Sequence, residues 1–537
     1  MNFFPVKNRT ARVVIALICL IAIFKADLTF QTYQKYNMPV FDGVMYEKKN
    51  IERFDKFEGD FSLINRYSQS YFEFFGNPVS GLFSTVISAA FPKMLANNIP
   101  ILIRSFLALL AFGLLLFEVM PFEQNWRKLL VIVLAYGSFF FFDFRVGLGS
   151  YIPEIPCVLM LCSAYLSLWL YMKRKQFKYL AGALGLITIV VGSRYNFAVY
   201  SALLLLPIVV LSLITFFRTE QRFKMMKLLI ALIWLILMGA YLYVHLDFFF
   251  DYYFKPVQYE KTSFYMRLLF LLKNFYAGFG WPGILSLVVI FFIGASGTDD
   301  RKATSWQKTL LAWFPFVFFF VFTVAQKRGY NIPHINTLNF VSLLLGLSLP
   351  VGQFRFLKSK KVAYLIIVFG IIAFSAQHYY YHKKLAGYRQ VEEINVVPRG
   401  IVENLAKKIR SGEKVNYMTA FESILEVPVD VALFRETDVF LGTTNQFFLN
   451  DWNLWDIDTG LDVDKIALFY KNVIQSDKIH PFYIGEQLPV PYRGFATAVQ
   501  VHEKLYHYIL NHPNYRVSDT LKSKYHGIIY EFSLQEN

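Results

Sequence analysis

Residues 99–119 read IPILIRSFLALLAFGLLLFEV, a continuous apolar run with polar chain on either side. At 1.5 Å per residue, such a run crosses the roughly 30 Å hydrocarbon core of a bilayer as an α-helix. Comparable runs, some of them shorter, occupy 13–30, 129–142, 153–172, 179–193, 197–217, 228–245, 279–296, 309–325, 335–352 and 361–377. Their continuity excludes a transmembrane β-barrel, whose strands alternate apolar and polar residues. Composition agrees: of 537 residues, 55% are hydrophobic and 17% charged, with mean hydropathy +0.39. The expected fold is a polytopic α-helical membrane protein of about eleven transmembrane helices.

The net charge is +16. In a soluble chain that balance would point to nucleic acid; here it reads as lysine and arginine held in cytoplasmic loops. Lys7, Arg9 and Arg12 precede the first run, and further clusters fall on every second connection: Arg127–Lys128, Lys173–Lys178, Arg218–Lys227, Arg301–Lys308 and Arg355–Lys361. The alternation predicts a cytoplasmic N-terminus and an extracytoplasmic C-terminus, with no nucleic-acid partner. No small-residue cleavage site follows the first run, so it reads as an uncleaved signal anchor. Abundant Phe, Tyr and Lys suggest a bacterial source, and hence the inner (cytoplasmic) membrane. Cys19, Cys157 and Cys162 all lie in apolar runs, which suggests neither a disulfide framework nor a cysteine-based metal site.

Three expected outer segments are long. The first, 31–98, is too polar for hydrocarbon yet dense in aromatics, and its end (NPVSGLFSTVISAAFP) reads as an interfacial helix. In the second, 246–278, aromatics and cations interleave as at headgroup depth. The third follows residue 377. The expected organisation is a transmembrane region over 1–377, a linker over 378–394 and an extracytoplasmic α/β domain over 395–537. In that last part helical patterns (399–411, 464–476, 497–511) mix with the strand-like runs KVNYMT, DVFLGTT, HPFYIG, YRVSDTL and GIIYEFSL.

The candidate reactive groups collect on the outer connections. Asp42, in FDGVMY, could serve as general base toward an acceptor hydroxyl; the bland alternative is a turn-forming Asp-Gly. Glu154, between Pro153 and Pro156 at a span's start, is either a costly near-membrane acid kept for function or a helix-start acid favoured by the dipole. Asp143 and Arg145 share an outer loop, where they either pair with each other or support the site. Arg194 ends an apolar run and could clamp a phosphate with paired hydrogen bonds, or simply snorkel to headgroups. Lys327, Arg328, Tyr330 and His334 crowd one outer turn against the charge trend, as expected where an anionic lipid phosphate binds.

This arrangement resembles the C-type (GT-C) membrane glycosyltransferase superfamily, including its mannosyl- and aminoarabinose-transferase-like architectures. The matching pieces are Asp42 and Tyr46 in FDGVMY, Glu154 in PEIP, Arg194 at the outer turn of a two-span hairpin, and Arg328, Tyr330 and Pro333 in KRGYNIP. Asp-Gly stands where the commonest family pattern has Asp-Glu, and Glu47 is close but not adjacent. That leaves a divalent cation, Mg or Mn, as a possibility only.

The resemblance implies a polyprenyl-phosphate sugar as donor and a glycan, lipid or protein hydroxyl as acceptor, joined at the outer bilayer face with inversion. Asp42 would be the base, helped by Glu154. Arg194, Lys327, Arg328 and Tyr330 would hold the donor phosphate, with Tyr46, Asp143, Arg145 and His334 in support. Two other readings share part of the pattern: a transporter or flippase for a lipid-linked sugar, and a surface-polysaccharide ligase or polymerase. A transporter predicts charges near the bilayer midplane and broken helices.

Overall fold

The computed structural model describes residues 9–36, 99–120, 125–139, 154–193, 197–219, scattered helical positions between 229 and 243, 264–296, 304–324, 331–348, 360–386, 389–419, 427–437, parts of 464–472, 479–488, 496–524 and 526–535. In chain order the helices are α1 (Arg9–Tyr36), α2 (Ile99–Val119), α3 (Asn125–Ser138), α4 (Glu154–Arg174), α5 (Phe177–Ser193), α6 (Phe197–Thr219), α7 (Phe264–Ser296), α8 (Ser305–Val324), α9 (Asn331–Ser348), α10 (Lys360–Ala386) and α11 (Arg389–Arg410). After them come β1 (Met418–Thr419), α12 (Val427–Thr437), β2 (Phe482–Gly485), α13 (Ala496–Leu510), β3 (Tyr515–Ser523) and β4 (Gly527–Leu534).

Among the described residues, three helical stretches, in α2, α4 and α6, are long and apolar enough to cross a membrane. Shorter apolar stretches lie in α3, α5, α7, α9 and α10. Their outward faces are apolar: Leu206, Val210, Ile214 and Phe217 form one exposed stripe on α6, and Leu365, Val368, Phe369 and Ile372 another on α10. Water would disfavour such stripes, whereas hydrocarbon accepts them. The chain is thus a helical, membrane-associated protein that also carries a small sheet.

The helix α4 is the hub. Apart from Met160, Lys173 and Arg174, every residue in it is buried. Its ends suit the helix dipole, with Glu154 in the first turn and Lys173 and Arg174 in the last. The turn into α5 passes through Lys175, at φ 56°. The start of α8 is closed by a capping box, in which the Thr304 backbone N–H and hydroxyl both reach Gln307 Oε1 at 2.9 Å. Two glycines bring α7 and α9 together: a Cβ on Gly346 would collide with the Phe291 carbonyl, and one on Gly294 with the Leu343 carbonyl.

One expectation changes, and the expected linker gains a secondary structure. The stretch 246–278 was expected to lie apart from the span at 279–296; instead α7 begins at Phe264 and runs on to Ser296, broken at Gly280 (φ 57°, ψ 177°). The expected linker 378–394 is helical on both sides of residues 387–388, because α10 extends to Ala386 and α11 begins at Arg389.

Among the described residues, the two large clusters of buried residues are drawn from 14–374 and from 397–532, with a small one around Ala295. In the second, the strand order is β1-β2-β4-β3, with β1 and β2 parallel and the other pairs antiparallel. A register shift between Val517 and Asp519 leaves Ser518 as an extra residue. The helix α11 ends in a Schellman motif: Gly412 (φ 84°) donates to the Ile409 carbonyl at 3.0 Å and Glu413 to that of Lys408 at 3.1 Å.

Candidate functional site

Pairwise contacts fix which helix ends lie together. The helices α4 and α5 are antiparallel, since Cys157 Sγ approaches the Val190 carbonyl at 4.0 Å and Ser167 Oγ donates to the Tyr179 carbonyl at 2.7 Å. Ser193 therefore lies at the Glu154 end of the bundle. Thr215 Oγ1 meets Met172 Sδ at 3.7 Å, so α6 runs parallel to α4 and Phe197 is at that same end. The Glu118–Arg174 ion pair, at 2.5 Å, does the same for α2 and places Ile99 there.

Tyr136 donates to the Leu109 carbonyl, and Lys128 Nζ lies 4.8 Å from the Phe117 ring. Thus α3 is antiparallel to α2 and its Ser138 end joins the group. Trp306 packs on Trp169 at 4.8 Å and Phe314 on Tyr165 at 6.4 Å, so α8 climbs toward the same end. The helix α9 starts from that end, and its Asn339 Nδ2 donates to the Ser138 carbonyl at 2.7 Å.

The chain therefore enters or leaves 37–98, 140–153, 194–196 and 325–330 at the end where Glu154 sits. Those segments carry Asp42, Tyr46, Asp143, Arg145, Arg194, Lys327, Arg328 and Tyr330, which lie outside the described residues. His334 falls within α9, but its side chain also lies outside them. Glu154 alone of the expected site residues is fully placed, 1% exposed at the first position of α4. The opposite end carries Lys128, Lys173, Arg174, Lys175, Lys178, Arg218 and Lys308.

The structure adds residues that sequence reading passed over. Among the described residues of the bundle, the buried charged and carboxamide side chains are Arg104, Glu154, Asn336 and Asn339. Each sits in the half of its helix nearest the Glu154 end, as do buried Ser105, Ser193, Ser201 and Thr337. Arg104, 7% exposed, is the one cation inside the run 99–119. That isolation within an apolar run was the available signal, because an intramembrane guanidinium is costly and is retained for a purpose. An apolar bundle that gathers its buried charged and carboxamide groups, among the described residues, toward one end can receive a ligand that is part lipid and part polar. A buried guanidinium there can bind an anion, and a buried carboxylate can accept a proton or orient a hydroxyl.

Among the described residues, no group of three or more His, Cys, Asp or Glu side chains could hold a metal ion. Asp42 and Glu47, on which a divalent cation would depend, lie outside them. No protein-family model, no curated protein and no solved structure matches the chain.

Proposed function

We propose that this chain is a membrane glycosyltransferase of about eleven spans, moving a sugar from a polyprenyl-phosphate donor to an acceptor hydroxyl at the extracytoplasmic face of a bacterial inner membrane. The observation that carries this reading is the gathering of Glu154, Arg104 and Asn336 at the bundle end from which the segments holding Asp42, Arg194 and Lys327–Arg328 depart. The basic clusters at the other end favour a cytoplasmic position for that end. The region 1–377 is the catalytic unit, and 395–537 is an outer domain that handles the acceptor.

In this scheme the donor's lipid tail lies along the apolar bundle with its phosphate at the polar end. Arg194, Lys327, Arg328 and Tyr330 bind the phosphate, and Arg104 adds a buried cation from below. As the anomeric carbon–oxygen bond to phosphate breaks, these cations stabilise the negative charge left on the departing lipid phosphate. Asp42 takes the proton of the acceptor hydroxyl, whose oxygen attacks the anomeric carbon from the opposite side and inverts it. Glu154 orients that hydroxyl.

Membranes carrying the chain, supplied with polyprenyl-phosphate sugars and tested for sugar transfer, check the scheme. Asp42→Asn should lower transfer by about 10²–10⁴ at unchanged expression. Unchanged transfer in Asp42→Asn removes the mechanism, and sugar translocation without transfer would establish a transporter instead.

A further inference from the structure

The outward side of α13 carries Gln500, Glu503, Lys504 and His507, one stripe at helical spacing. With Lys471 and Tyr508 they line an open, shallow cleft of about 520 Å³. Lys471 Nζ lies 5.0 Å over the Tyr508 ring, and Lys504 is paired with Asp464. On the other flank of the stripe, Tyr506 lies 5.7 Å from His507 and 6.2 Å from Tyr530, the two tyrosine rings inclined by only 29°. The Tyr506 ring is also parallel to that of the buried His502 at 6.4 Å, and both tyrosines remain half-buried. The Tyr530 hydroxyl bonds to Glu486, which sets a carboxylate beside the tyrosine pair.

The lining selects its ligand by chemistry. It offers donors (Lys471, Lys504, His507) and an acceptor (Glu503), with Gln500 supplying both. A hydroxyl also donates and accepts, so a polyol matches such a surface. Among the described residues, Asp464 is paired with Lys504 and Glu503 balances the charge of Lys471, which disfavours a phosphate or nucleic acid as the ligand. Among the described residues, no aliphatic side chain lines the cleft, which disfavours an apolar peptide. Tyrosine faces present negative charge to the C–H face of a pyranose.

We propose that this face of α13 is a saccharide-binding site, with one sugar ring on Tyr506 and Tyr530 and the neighbouring unit in the cleft; it rests on the transferase reading in that the bound glycan would be the acceptor. The test uses the full chain in lipid nanodiscs on a microarray of neutral and acidic oligosaccharides, with inorganic phosphate as competitor. At least one neutral oligosaccharide should bind, should resist phosphate, and should lose about tenfold or more in affinity in Tyr506→Ala, the scale of one aromatic contact. Glu503→Gln, at an exposed position where the fold is not at stake, should also weaken it, with unchanged thermal unfolding. Absence of glycan binding, binding indifferent to both substitutions, or displacement by phosphate overturns the proposal. Transfer of sugar without binding here sinks this site and leaves the transferase reading; binding here without transfer does the reverse.

Discussion

Glu154 in the bundle and Glu531 in the small domain are both buried carboxylates, 1% and 3% exposed. They lie in different kinds of element, one at the start of a bundle helix and one in a strand of the sheet. Glu531 receives Lys408 Nζ at 2.7 Å, the Tyr483 hydroxyl at 2.8 Å, Ser518 Oγ at 3.0 Å and Asn404 Nδ2 at 3.2 Å. Burial alone would raise its pKa; the bonds from Lys408 and Tyr483 outweigh that and hold it below the usual carboxylate range. The Tyr483 hydroxyl is correspondingly raised, by burial first and by Glu531 second. The extra residue in β3 puts Ser518 into this network. Glu154 opens a mostly apolar helix at the end from which the chain enters or leaves the expected site segments. The first arrangement serves the fold. The second stands with Arg104, Asn336 and Asn339 among the buried polar groups toward one end of the bundle.

The sharpest test of that difference is Lys408→Met, which strands the Glu531 charge inside the domain. It should cost about 3–5 kcal/mol in urea unfolding. A loss under about 1 kcal/mol would erase the contrast. In the bundle, stability should reside in close apolar packing rather than in buried charge. Gly346→Val, driven against the Phe291 carbonyl, should cost about 1–3 kcal/mol and lower the thermal midpoint in detergent.

Acid should separate the regions next. Burial pushes the His502 imidazole down to about 4, partly offset by a backbone hydrogen bond at Gly485. A depressed histidine means that the unfolded chain takes the proton first. Stability from this group is therefore intact above about 6.5 and declines as pH falls toward 4. Melting of the small domain followed from pH 7 to 4 should show this decline, and His502→Leu should flatten it. Glu531, depressed from its ordinary value, adds a loss at lower pH. The smallest effect on stability belongs to Glu154→Gln, which should shift unfolding by less than about 1 kcal/mol while lowering sugar transfer by about tenfold or more. Substantial unfolding in that variant would make Glu154 a structural group like Glu531.

Helix positions were legible because apolar runs declare themselves: α2 coincides with the stretch 99–119, and α5 differs from its expected range by two residues at one end. The strands at 482–485, 515–523 and 527–534 also sit where the strand-like runs placed them. Missed was α12, whose sequence VPVDVALFRET opens with proline and β-branched residues and reads as extended chain until Asp430 and the Tyr417 hydroxyl are seen joined. The site was legible only as a set of separate outer charges. Arg104 stayed hidden because a hydropathy window absorbs one cation, and the partners of Glu531 because they lie far apart in sequence.

The break at Gly280 sets a limit on how α7 can sit. With Gly280 out of helical conformation and Pro282 lacking an N–H, carbonyls in the preceding turn lose their donors along the helix axis. Oil offers nothing to replace them, so this turn belongs at the wet boundary. From there to Ser296 the helix extends about 24 Å, close to one thickness of the greasy layer. Gly280 thus marks where the helix breaks, and the apolar stretch Gly280–Ala295 begins there.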